Sequence, residues 1–343
     1  MLDRLRDDHR PVPPGALLGL VAIDLVVTIG LAGDILRHVR NQNLNGQDFL
    51  SGWHLVLYGG VLAVGVWLGL AALQLGPGVV LGEARFVTAG FLTLSFGGVA
   101  DSAWHAAYGT EAAIEALVSP PHLVVFVGLC LLLLGPLRAQ WQRDRVVLGP
   151  IESACVVLPV ASVLLVASLF TGFLSPLTGG MDLGSGSVEP LVGASYSQYD
   201  LVRGLGIVLW TTVLLVVPWS MVLDRFRLFP GFALVALAGL GLPPLLVTGS
   251  TARASFFGFL AFAVAIEAAA RHRGAPPAWL RMLVGAVAPA SLWAVHLLVV
   301  SRSGELRWSQ AEWSGVIVLS AIWGAVAAAV ATRRPGPPRP APG

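Results

Sequence analysis

The sequence contains no lysine; all 21 of its basic residues are arginine. Chemistry that needs a lysine amine, such as Schiff-base formation, is therefore closed to it. Charged residues of either sign make up only 12% of the 343 residues, about half the share usual in soluble domains. The net charge of +2 is too small a surplus to draw a nucleic acid. Cysteine occurs twice, as Cys130 and Cys155, both inside apolar runs. That leaves neither a disulfide scaffold nor a cysteine-based zinc site. A phosphate-cradling Gly-rich loop, a nucleophile elbow and an HExxH helix are missing as well.

What is abundant is apolar. Hydrophobic residues make up 56% of the chain and the mean hydropathy is +0.78. Runs of about twenty apolar residues recur from end to end, each long enough to cross a ~30 Å hydrocarbon core. The pattern predicts an all-α polytopic membrane protein with about ten transmembrane helices, at 14–38, 50–75, 84–106, 118–138, 148–175, 200–223, 229–249, 253–270, 280–301 and 313–332. The first run contains Asp24 and lacks a small-residue cleavage site after it, so it reads as a retained helix rather than a signal peptide. Pro243 and Pro244 should kink or break the seventh helix. The tail RRPGPPRPAPG, 333–343, reads as disordered.

Arginines counted by alternate loops fall unevenly. The termini and even-numbered loops carry fifteen of them, the odd-numbered loops and adjoining helix ends six. The positive-inside rule then puts both termini in the cytoplasm of a bacterial-type inner or plasma membrane. The odd-numbered loops face out.

Within 1–140 lies an internal repeat. GLAGDILRHVRNQNLNGQDFLSGWHLVLYGG aligns with FGGVADSAWHAAYGTEAAIEALVSPPHLVVFVG, matching Gly30 with Gly97, Asp34 with Asp101, His38 with His105, Asp48 with Glu115, Ser51 with Ser119 and His54 with His122. Leu-Val-x-aromatic-x-Gly then recurs in both copies. Residues 1–140 thus read as two duplicated hairpins, and 141–332 as six further helices. Asp34 and His38 are four apart, as are Asp101 and His105, so each pair shares a helix face. His54 and His122 open the next helix of their hairpins at the same outer end. With helices packed ~8–10 Å apart, an Asp and two His converge in each hairpin. Such a set suits copper, iron or zinc, and fits magnesium or calcium poorly. Ionisable groups are costly in a membrane, and solvation at its surface explains polarity but not a repeated spacing.

These residues resemble the copper sites of the C subunit of the copper-containing membrane monooxygenases, the particulate methane and ammonia monooxygenases. There an Asp-x3-His pair and a His on the next helix form one site, and an Asn-x3-His with a later His forms another. The resemblance covers residues 24–128, and EALVSPPHLVVF resembles that family's approach to its third ligand. It implies that Asp34, His38 and His54 form one copper site and Asp101, His105 and His122 the other. Asp101 stands where the family usually has Asn.

Asp24 lies ten residues before Asp34, about 15 Å deeper along the helix, near the His38 face; it is a candidate for a proton path, and a carboxyl hydrogen-bonded to a neighbouring helix accounts for it more simply. Asp48, Glu111 and Glu115 in the outer loops could feed cations inward, though a solvated loop face accounts for them too. Trp53 and Trp104 adjoin the His residues and also fit an interfacial aromatic belt. His296, alone in an apolar run, reads as a helix-packing residue, and Glu267, His272 and His9 lie near the inner face without a role.

Two functions compete on this reading. One is a copper- or iron-dependent membrane oxidoreductase of the monooxygenase kind, taking electrons from a separate donor or subunit. The other is a metal-ion carrier or copper-handling protein, with a non-catalytic accessory subunit as a third option. The repeated hairpins share one orientation, the less common transporter design.

Overall fold

The computed structural model describes residues 10–40, 52–109, 118–171, 196–240, 250–272, 277–302, 306 and 308–332. They form eleven α-helices: α1 Pro14–Arg40, α2 Gly52–Leu75, α3 Arg85–Tyr108, α4 Pro120–Leu133, α5 Gly135–Trp141, α6 Pro150–Phe170, α7 Tyr196–Arg225, α8 Phe232–Leu240, α9 Ser250–Ala270, α10 Ala278–Arg302 and α11 Gln310–Ala331. Eight are long and apolar enough to cross a membrane. An integral membrane protein follows from that.

The expected ten spans compare with these eight in two places. The fourth is split at Leu134 into α4 and α5, bent by 41°, and counts as a ninth span if the pair is one. Pro136, in the first turn of α5, accounts for the break, because its ring cannot donate a hydrogen bond and crowds the preceding turn. The seventh is represented by the nine residues of α8; Pro243 and Pro244 lie outside the described residues, as does the 333–343 tail. Prolines inside α6, α7 and α10 leave those helices continuous. Neighbouring helices and polar side chains re-satisfy the freed backbone in such positions.

Sequential helices pair as hairpins: α1 with α2, α3 with α4, α9 with α10, and α10 with α11. Two apolar cores result. One gathers α1–α4 around Leu20, Val64, Leu94 and Leu129; the other gathers α7–α11 around Trp219, Phe262, Leu237 and Trp293. α6 belongs to both, giving Cys155, Val166 and Leu169 to the first and Val156, Val157 and Val160 to the second. It is the most buried of the spans.

The arginine-rich end is tied by ion pairs across elements. Arg143 donates to Glu83 at 2.7 Å and to the Val12 carbonyl, Glu83 accepts from the Val12 N–H at 2.7 Å, and Arg225 donates to the Arg143 carbonyl at 2.8 Å. Arg281 pairs with Asp224 at 2.9 Å. Glu267, without an expected role, accepts from the N–H groups of Gly231 and Leu234 at 2.7 and 3.3 Å and so caps α8.

Candidate metal centre

The opposite end of the first four helices holds Asp34, His54, Asp101, His105 and His122. In the α3–α4 hairpin, Asp101 and His105 sit one turn apart near the end of α3, with Asp101 Oδ1 3.4 Å from His105 Nε2. His122, in the first turn of α4, comes from across the hairpin, and its Nδ1 is also 3.4 Å from Asp101 Oδ1. One ligand atom from each of the three residues falls within 4.8 Å of the others, and all three are half-buried.

Local structure fixes each ring. Gly109 ends α3 with a φ of 84°, in the left-handed region that glycine adopts without a Cβ penalty. Its N–H donates to the His105 carbonyl at 2.9 Å, and its own carbonyl lies 3.1 Å from His105 Nδ1. With Nδ1 held on a carbonyl, Nε2 is left to face Asp101, the arrangement that orients metal-binding imidazoles. Ser119 is the N-cap of α4 but makes no side-chain cap; its Oγ lies instead 2.8 Å from His122 Nδ1. Pro120 follows it in the first helical turn, where a missing N–H costs nothing.

The α1–α2 hairpin brings Asp34 and His54 together in the same way, Oδ2 to Nε2 at 3.5 Å. His38 lies on α1 four residues beyond Asp34; its side chain falls outside the described residues. Trp53 packs on α1 over Gly33, where any Cβ would meet its ring. Both hairpins close on glycines at matching places. A Cβ on Gly30 would come 2.7 Å from the Leu57 backbone nitrogen, and one on Gly97 3.0 Å from that of Val125. Farther down, a Cβ on Gly60 would meet Val27 Cγ2 at 2.7 Å, and one on Gly128 the Leu94 nitrogen at 2.6 Å. Small residues let helix backbones approach this closely, and the approach carries the His of one helix within reach of the Asp of the other.

Tyr58, one turn along α2 from His54, stacks on its ring with centroids 5.7 Å apart. Sequence reasoning gave no part to Tyr58 or Gly109. It matched Ser119 with Ser51 but assigned neither a role, and Ser51 lies outside the described residues.

Of the remaining candidates, Asp24 is buried on α1. Trp104 packs on Tyr108, ring centroids 4.5 Å apart. His296 is buried in the second core, 5.5 Å from the Trp293 ring, and His272 is exposed. Asp48, Glu111, Glu115 and His9 lie outside the described residues.

The donor set fits a small transition-metal ion. Ligand atoms about 2.0–2.1 Å from a tetrahedral ion lie ~3.3–3.4 Å from one another, and Asp101 Oδ1 and His105 Nε2 are 3.4 Å apart. Comparison with family models, curated proteins and solved structures gives no match. Function is therefore read from the site's own geometry.

Proposed function

We propose that the protein is an integral membrane metalloprotein in which Asp101, His105 and His122 hold a copper ion, with iron or zinc as the alternatives. Asp34, His38 and His54 form the duplicate of that site in the first hairpin. The observation that carries this reading is the grouping of the three ligand atoms of the second hairpin within 4.8 Å. The 3.4 Å separation of Asp101 Oδ1 and His105 Nε2, the carbonyl holding His105 Nδ1 and the matched glycine contacts of the two hairpins all support it. Two imidazoles with one carboxylate favour copper, iron or zinc over magnesium or calcium.

In this reading the arginine-rich end faces the cytoplasm and the sites lie near the outer face. The protein is an oxidoreductase of the monooxygenase kind, drawing electrons from a separate membrane donor. A bound copper or iron would supply the redox chemistry. The chain's own residues hold the ion and set the tautomers of its imidazoles: the Gly109 carbonyl holds His105 Nδ1 and Ser119 Oγ holds His122 Nδ1, leaving Nε2 of each ring for the ion, and the apolar helices exclude water and admit substrates from the bilayer.

Elemental analysis of the purified protein tests the reading. Wild type should carry a stoichiometric transition metal, and His105→Ala and His122→Ala should each lose one equivalent. Equal metal content in wild type and both variants, or no transition metal at all, overturns it.

A further inference from the structure

Asp24 lies in the middle of the buried stripe of α1, among Leu20, Val21, Val27 and Thr28, and is 1% exposed. Neither of its carboxyl oxygens has a hydrogen-bond partner among the described residues. The nearest hydroxyl along the stripe, that of Thr28, donates at 2.8 Å to the backbone carbonyl of Asp24 and not to its side chain. The helices packed on α1 bring no counter-charge to this depth. Among the described residues, α2 carries only His54, at the outer end; α4 carries only His122, also at the outer end; α5 carries only Arg138, over the Phe86 ring at the arginine-rich end; and α6 carries only Glu152, in its first turn at that same end. Asp24 stands ten residues from Pro14, about 15 Å from that end and as far from Asp34.

Glu267 shows the opposite case. It is as deeply buried within the fold, yet it accepts from two backbone N–H groups and from Arg271 at 3.3 Å. Its surroundings suit a carboxylate. Those of Asp24 do not: an unpaired charge in a low-dielectric interior costs several kcal/mol even after relaxation, whereas the neutral acid avoids that cost at the expense of binding one proton.

We propose that Asp24 is an intramembrane proton-binding site, holding its carboxyl as the neutral acid in this conformation. The ligand is a proton, stored midway between the arginine-rich end and the outer cluster on the helix that carries Asp34 and His38. The inference rests on the surroundings of Asp24 alone. It stands or falls separately from the metal reading.

Infrared spectroscopy of the full-length protein carrying carboxyl-13C aspartate tests it at neutral pH. The expected result is a protonated-acid carbonyl band at the labelled position in wild type, lost in Asp24→Asn. Should that variant not fold, Asp24→Glu keeps the acid and should move the band to the unlabelled position. Absence of any protonated aspartic acid in wild type overturns the proposal, and so does a labelled band that survives in whichever variant folds.

Discussion

Asp101 and His122 come from different helices, yet the carboxylate Oδ1 and the imidazole Nδ1 lie 3.4 Å apart. Asp34 and His54 also meet across their hairpin, Oδ2 to Nε2 at 3.5 Å, through the other ring nitrogen. In each hairpin the contact depends on two things: a helix end that presents the Asp about two turns from its terminus, and a glycine-lined approach that brings the next helix close. The predictions below act on those two supports.

Ser119→Ala removes the hydroxyl that lies 2.8 Å from His122 Nδ1 without removing a helix cap, since Ser119 makes none with its side chain. The helix should persist and the site should loosen. Partners that orient a metal-binding imidazole are worth about 10–100-fold in metal affinity, so a loss in that range is expected from competition titration with a chelator. Gly109→Ala keeps the carbonyl that holds His105 but forces a Cβ into a backbone conformation essentially confined to glycine, so it should shift that carbonyl and loosen His105, at a cost of roughly 1–3 kcal/mol.

Gly128→Ala would place a methyl 2.6 Å from the Leu94 nitrogen, against backbone that cannot yield without parting α3 from α4. Gly98→Ala, on the same hairpin, meets nothing within 4 Å. The first should destabilise by about 1–3 kcal/mol and the second should be neutral or slightly stabilising, as Ala outranks Gly in a helix. Thermal unfolding in detergent, with the two variants side by side, reads the difference. Equal midpoints would mean that the close approach is unimportant.

Tyr108 and Val147, 74% and 75% exposed, lie at opposite ends of the bundle. Tyr108→Cys should react with a membrane-impermeant thiol reagent in intact cells, and Val147→Cys only after the cells are opened. The reverse pattern would place the candidate metal clusters on the cytoplasmic side.

Much of this molecule was legible in its sequence because the signals are local. Apolar run length fixed the membrane class and the position of most spans. The i, i+4 spacing of Asp101 and His105 fixed their shared face, since 3.6 residues per turn leave no other outcome, and they lie 3.4 Å apart in the fold. The recurrence of His after the loop marked the third residue of the cluster.

Other features needed the tertiary structure, because they depend on how far each helix is rotated and how deep it sits against its neighbours. Which nitrogen of His105 faces Asp101 is set by the Gly109 carbonyl, a bond made only once the helix ends there. That Glu267 is satisfied while Asp24 is not cannot be read from two acids in two apolar runs; the difference lies in the N-terminus of α8 meeting one carboxylate and no described residue hydrogen-bonding the other. The double membership of α6 in both cores is likewise long-range. Periodicity and hydropathy belong to the chain taken one segment at a time, whereas partners belong to the packing of segments distant in sequence, which only the folded bundle decides.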